Sequence, residues 1–272
     1  MSEKYLNRSD APISEKVWEQ IDKTVVAAAK TRLTGRKLLC TQGPFGLGTK
    51  ALPSNDEPIT ENIPENVELS YSCWTPLTLI RSSFKLSIRD IAAHEETGTP
   101  LDLTSVAKAA IDCAQQEDNL IFCGLPKIKL NGLLNTQGCQ SMNLKSWDDI
   151  GAAAEDIMWA SSMLDNEGFH GPYSLALSVN LYNMLFRRYP QADTEMKHIS
   201  QFITDGIIKT PSISSGGILL CSYGTCTCIC IGQDLTAGFV GPADGKYEFS
   251  ISETVALKLS MPKAICVLNK WK

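Results

Sequence analysis

Two long runs of alternating side chains near the C-terminus constrain the fold more than any other feature. From Cys226 the chain alternates on a two-residue period through Ile231-Gly232-Gln233-Asp234-Leu235-Thr236-Ala237-Gly238-Phe239. Tyr247, Phe249 and Ile251 repeat that period in the run that ends at Thr254. Pro242-Ala243-Asp244-Gly245 stands between them, and a turn of that composition joins the two runs into a predicted β-hairpin. An isolated pair of strands does not hold in water, so its apolar face needs a second layer.

Helical patterns upstream supply that layer. The strongest runs from Leu103 to Phe122, where Leu103, Val106, Ala107, Ala110, Ile111 and Ala114 form one stripe and Gly124 closes the helix. At 1.5 Å per residue it would be roughly 30 Å long. A first helix is predicted from an N-cap at Ser14, with Val17, Trp18, Ile21, Val25, Ala28 and Ala29 on one face and Gly35 as its stop. Between these two, Ala51 to Asn66 carries Pro53, Pro58 and Pro64 among acidic residues, which reads as a projecting arm or long loop. Val67 to Leu86 regains strand character, and a short helix spans Leu86 to Glu96. After Gly138 helices are predicted at Ser146 to Glu167, Asn180 to Arg188 and Glu195 to Thr204. Strands at Tyr173 to Val179 and around Ile207 and Ile218 alternate with them, as an α/β unit inserted between two parts of another domain would.

The composition narrows the function classes. At 272 residues with 43% hydrophobic and 20% charged residues, the chain is an ordinary globular protein. A net charge of -5 leaves no basic footprint for nucleic acid. No apolar run approaches the roughly 20 residues that span a bilayer, and Met1 to Asp10 lacks a signal-peptide core, so neither membrane nor export is expected and the cytoplasm is. Ten cysteines are present; Cys226, Cys228 and Cys230 share a strand face and are poor disulfide partners, so they read as small buried thiols. Metal ligation is not expected, because His94, His170 and His198 are scattered and no CxxC pair accompanies them. Gly43-Pro44-Phe45-Gly46-Leu47-Gly48-Thr49-Lys50 is not a phosphate loop, since no Gly-Lys-Ser/Thr follows. There is no G-x-S-x-G and no HExxH; Asp234 and Glu253, on the two hairpin strands, fit a strand-pair role better than acid–base chemistry. No catalytic residue is assigned.

Several segments, in order, resemble the encapsulin shell proteins, the linocin-like family of bacterial nanocompartments. Tyr5-Leu6-Asn7-Arg8, Ala11-Pro12-Ile13-Ser14, Trp18 and Ile21-Asp22 are similar to the family's opening, followed by Gly35-Arg36-Lys37 and Gly43-Pro44-Phe45-Gly46. Glu117-Asp118, Ile121-Phe122, Gly124 and Gly132-Leu133-Leu134 fit the end of its spine helix. Gly168, Gly171-Pro172-Tyr173, Tyr189-Pro190, Gly232-Gln233-Asp234-Leu235 and Thr254 complete the likeness over essentially the whole chain.

The resemblance implies an α+β chain with the HK97-like capsid fold. Its P-domain would comprise residues 1–46, 81–136 with the spine helix on a β-sheet, and 222–272; an extended E-loop would occupy 47–80 and an inserted A-domain 137–221. It implies a homo-oligomer of about sixty or more copies closing into an icosahedral shell. Such a shell would enclose a cargo enzyme, such as a ferritin-like protein or a dye-decolourising peroxidase, that bears a C-terminal targeting peptide. Matching positions for docking that peptide are Arg36, Asp234, Leu235 and Ala237; Cys40 and Ala237 depart from the acidic and branched residues common in relatives. The loop Tyr189, Pro190, Gln191, Ala192, Asp193, Thr194, Glu195 would line a five-fold pore that admits small solutes. Some relatives bind flavin through a tryptophan after the E-loop; the matching residue is Arg89, so no cofactor is expected. A phage major capsid protein would share the fold, and a secreted bacteriocin or protease is a third reading.

Overall fold

The computed structural model describes residues 3–59, 66–189 and 193–270. After two single-turn 3-10 segments come α1 (Glu15–Lys30), α2 (Gly35–Leu38) and the two-residue β1 (Thr41–Gln42). The arm holds β2 (Ala51–Pro53), β3 (Glu57–Ile59), β4 (Leu69–Tyr71) and β5 (Trp74–Pro76), which pair as two short ribbons, β2 with β5 and β3 with β4. Next are β6 (Thr78–Ser87), α3 (Ile88–Thr97), the long α4 (Thr104–Cys123) and β7 (Gln140–Asn143). α5 (Ala152–Asn166), β8 (Tyr173–Leu177), α6 (Val179–Met184), α7 (Glu195–Ile199), β9 (Gly206–Lys209) and β10 (Gly217–Cys221) follow. The chain ends with β11 (Thr227–Ala243), β12 (Lys246–Leu259) and β13 (Ile265–Asn269). Asp244 and Gly245, both at positive φ, make the two-residue turn that the twist of a β11–β12 hairpin favours.

The chain divides into two compact units. The first comprises residues 1–33, 42–117 and 230–256. Its sheet has the order β1-β11-β12-β6, with β12 antiparallel to β6 and Phe249 directly opposite Phe84. Those rings stack at 5.2 Å, and Trp18 of α1 meets Phe249 edge-on at 5.5 Å. Truncating a buried aromatic such as Phe249 to Ala costs about 3–5 kcal/mol, which makes this triad a main holding point between helix and sheet. The entry segment is tied to it: the Arg8 guanidinium lies 4.1 Å over Trp18 and bonds Asp22 at 2.6 Å. The inward face of α4, Val106, Ala110, Cys113 and Ala114, packs on the same sheet, and the Cys113 thiol reaches the Ile251 carbonyl at 3.8 Å. The helical layer expected for the hairpin is therefore α1 and α4.

The second unit comprises residues 34–41, 118–229 and 257–272. Its sheet runs β7-β13-β10-β8-β9, with β13 parallel to β7 and antiparallel to β10. Trp147, Ile157, Leu164, Leu175, Leu185 and Leu219 form its centre. The C-terminal segment thus divides: β13 belongs to this sheet rather than to the hairpin's, because Gly217↔Leu268 and Cys266↔Gln140 give it a partner on each edge.

Four predicted helix ends differ: α6 stops at Met184 rather than Arg188, α7 stops at Ile199 rather than Thr204, and two others have a visible cause. Gly35 does not stop α1, which ends at Lys30; it opens α2, where a Cβ would come within 2.7 Å of Ile121. The helix predicted from Ser146 begins at Ala152, after Gly151 at φ 102°. Residues 145–150 are drawn away from helix because Asp156 accepts hydrogen bonds from Lys145 N–H at 2.8 Å and from the Trp147 indole at 2.9 Å.

Candidate docking and assembly surfaces

In the first unit, Ala29 of α1 and Leu33 just beyond it converge with Ala114 of α4 on a small buried cluster, and the partly exposed Leu235 side chain packs against it. The neighbouring backbone is pinned. The Asp234 carboxylate accepts the Leu235 N–H at 2.8 Å, and the Thr236 hydroxyl donates to the Asp234 carbonyl at 2.7 Å. Asp234 is exposed, so this stretch of β11 presents an acidic group beside an aliphatic one. Ala237 is fully buried, so its methyl is core and offers nothing to a docking peptide. Arg36 is half-buried on α2 in the second unit. Cys40 is exposed in that unit, with its carbonyl accepting the Ile229 N–H at 2.9 Å.

The arm contributes a different kind of surface. Its ribbons expose Trp74 (62%), Tyr71, Leu69 and Ile59. Two-stranded ribbons without a covering layer are marginal in water, so such a surface calls for a partner. Tyr71 O–H donates to the Glu57 carboxylate, a cross-ribbon bond that raises the phenol to about 12.

In the second unit the predicted pore loop separates into parts. Tyr189 packs edge-on against His198, and Asp193 bonds Lys197 at 2.7 Å. Thr194 caps α7 by accepting the Lys197 N–H. Glu195 is fully buried: its carboxylate accepts Gly151 N–H at 2.7 Å and pairs with Arg187 at 3.2 Å. It holds the start of α5 and cannot line an opening. Pro190, Gln191 and Ala192 lie outside the described residues. Sequence reading missed an apolar face on α5, where Trp159 (61%) and Met158 stand exposed. They sit off the buried stripe of Ala153, Ile157, Ala160 and Leu164, and that offset is legible in the helical spacing.

The thiols Cys113, Cys221, Cys226, Cys228, Cys230 and Cys266 are buried, while Cys40 and Cys123 are exposed. Burial, first of all, pushes Cys113 and Cys266 up to about 12. No group of three His, Cys, Asp or Glu side chains with metal-holding geometry occurs among the described residues. No described helix is long and apolar enough to cross a membrane.

The chain matches the family model described as "Encapsulating protein for peroxidase" over residues 3–256. It belongs to the encapsulin shell-protein family. The type 1 encapsulin shell protein EncA of Myxococcus xanthus is 28% identical, over 97% of this chain and 96% of that protein. A diheme-cytochrome–encapsulin shell fusion protein of Kuenenia stuttgartiensis is 27% identical, over 96% of this chain and 75% of that protein. Among solved structures, the virus-like particle from Pyrococcus furiosus superposes with a TM-score of 0.73 at 22% identity, covering 93% of this chain and 99% of that one. The fold is the HK97-type capsid fold, and the encapsulin membership decides between the two shell readings against a phage capsid protein.

In an encapsulin shell protein the landmarks of the sequence acquire physical reasons. Asp118 accepts the N–H groups of Thr34 and Gly35, both at 2.9 Å, and the Thr34 hydroxyl at 2.5 Å. Gly124 and Gly132 touch so closely that a Cβ on Gly132 would lie 2.4 Å from the Gly124 nitrogen. Gly232 leaves room for Thr254, whose hydroxyl accepts the Gln233 N–H at 2.7 Å.

Proposed function

We propose that about sixty or more copies of this chain close into an icosahedral shell that encloses a partner enzyme and admits small solutes. The observation that carries this reading is the pair of unsheltered apolar surfaces on one chain, Trp74 with Tyr71 on the arm and Trp159 with Met158 on α5. Rings and closed shells use head-to-tail contacts between unlike surfaces, so a chain with two separate patches suits them. The enzyme would carry a short C-terminal peptide seated at Leu235 and Asp234; a ferritin-like protein or a peroxidase is the class of cargo proposed. The segment from Tyr189 to Asp193 would border a pore. The shell chain itself would carry out no catalysis and hold no cofactor, with exposed Arg89 on α3 at the position given to flavin in some relatives. Its place would be the cytoplasm, with neither nucleic acid nor membrane as partner.

Negative-stain microscopy and size-exclusion chromatography of purified protein test assembly: uniform hollow particles are expected, and a small species overturns it. Leu235→Asp should give particles of unchanged size that contain no partner enzyme, read by mass spectrometry of their contents. Full cargo in that variant would remove Leu235 from the docking site.

A further inference from the structure

Three sulfur side chains gather at one place in the second unit. The Cys226 thiol, just before β11, lies 3.8 Å from the Met261 thioether in the link that follows β12. Cys221, the last residue of β10, is its other sulfur neighbour, near enough for a thiol–thiol hydrogen bond. Both cysteines are free thiols in the same buried cluster, at 1% and 3% exposure, whereas Met261 is 44% exposed. The group thus has an open end, the thioether, and a closed end, the two thiols.

Backbone bonds fix the three segments on one another. The Cys226 carbonyl accepts the N–H groups of Ser260 and Met261, at 2.9 and 3.0 Å. The Cys226 N–H donates to the Tyr223 carbonyl at 2.8 Å, which tightens the link from β10. Cys221 is held in the sheet opposite Tyr173 of β8. The sulfurs are therefore organised by main-chain contacts before any ligand arrives.

Buried thiols usually pack as small hydrophobes, and Cys113 and Cys266 fit that description. Cys226 differs because both of its neighbours are sulfur donors and one of them reaches solvent. Three sulfurs at about 2.3 Å from a shared ion stand about 4 Å apart, close to the spacing of Cys226 and Met261. Thiolate and thioether are soft donors and select monovalent copper. Zinc sites usually complete four donors from thiolate, imidazole and carboxylate, and no such group of three occurs among the described residues.

We propose that Cys221, Cys226 and Met261 form a binding site for a soft monovalent cation, copper(I), in three-coordinate sulfur geometry. The entering ion displaces the Cys226 proton to solvent, so that thiolate and ion cancel in charge. Cys221 and Met261 complete the coordination through sulfur lone pairs. An uncharged assembly suits an interior place. In the metal-free protein burial, first of all, and then Cys221 raise the Cys226 thiol, and a positive ion beside it removes that penalty. The copper is a bound ion and not a catalytic cofactor. All three ligands belong to the second unit of one chain, so the site does not depend on shell assembly.

The test uses the purified full-length chain, reduced and anaerobic, titrated with copper(I) against the competing chelator bathocuproine disulfonate. Wild type should keep one equivalent against the chelator, with an X-ray absorption spectrum that shows sulfur neighbours alone. Met261→Leu, similar in size and partly at the surface, should weaken binding about tenfold. Cys226→Ala should lose the equivalent, with a circular dichroism spectrum like that of wild type. Cys40→Ala combined with Cys123→Ala, which removes the exposed thiols, should retain it. Unchanged affinity in Met261→Leu overturns the proposal, and it does so even if Cys226→Ala fails to fold. Retention of the equivalent by a folded Cys226→Ala, its loss from the Cys40 and Cys123 double variant, or a wild type that takes up no copper overturns it equally.

Discussion

Asp118 fixes the start of α2 in the second unit. Its carboxylate collects two backbone N–H groups and a hydroxyl at the start of α2, where those donors have no other helical partner. Asp118→Ala should lower stability by about 3 kcal/mol, seen as a fall in the urea midpoint with unchanged slope. Asp118→Asn, which keeps an acceptor, should lose less. The buried thiols give a second prediction. Cys113 and Cys266 are held near 12, above their unfolded value near 9. The folded state thus keeps its protons where the unfolded state releases them, and stability is intact below pH 9 and declines as pH rises toward about 12. Urea midpoints measured across that range should fall, and Cys113→Ala with Cys266→Ala should flatten the slope. At this scale the sequence had the residue types but not their surroundings. Gln233 read as one strand residue among others and is almost wholly buried, while Glu195 read as loop and is wholly enclosed.

Among the elements, α1, α4 and the β11–β12 hairpin were legible because their periods repeat over many residues. Short elements were not. The expected helix from Ser146 lost its first turns to Trp147 and Asp156, whose pairing is a contact nine residues apart. Gly35, a stop signal by local rules, instead serves close packing against Ile121. The arm was recognised by its prolines and acidic residues, whereas its pairing into two ribbons depends on the match of Leu52 with Thr75 and of Pro58 with Ser70. Those ribbons have almost no core of their own, so on the proposed reading their side chains would matter mainly to assembly. Trp74→Ser should leave the far-UV spectrum and the thermal midpoint of the dissociated chain unchanged. It should slow or prevent regrowth of particles after dissociation, followed by light scattering.

For the molecule as a whole, the two units are built from interleaved pieces of chain. Residues 118–229 hold most of the second unit but lack β13, the strand between β7 and β10. Produced alone, that fragment should fail to fold, giving a poorly dispersed amide NMR spectrum; adding back 34–41 and 257–272 through the full chain restores it. Closed assembly, as proposed, belongs to the same scale, since the apolar residues left outside on the ribbons and on α5 would find cover in other copies. The sequence by itself determined the long helix, the hairpin, the polar arm and the family, because each rests on local periods or on residues in a fixed order. Only the tertiary structure decided that Ala237, Glu195 and Gln233 are interior and that β13 joins the second sheet. Whether a side chain is covered depends on what distant chain lies opposite it, and no local pattern carries that information.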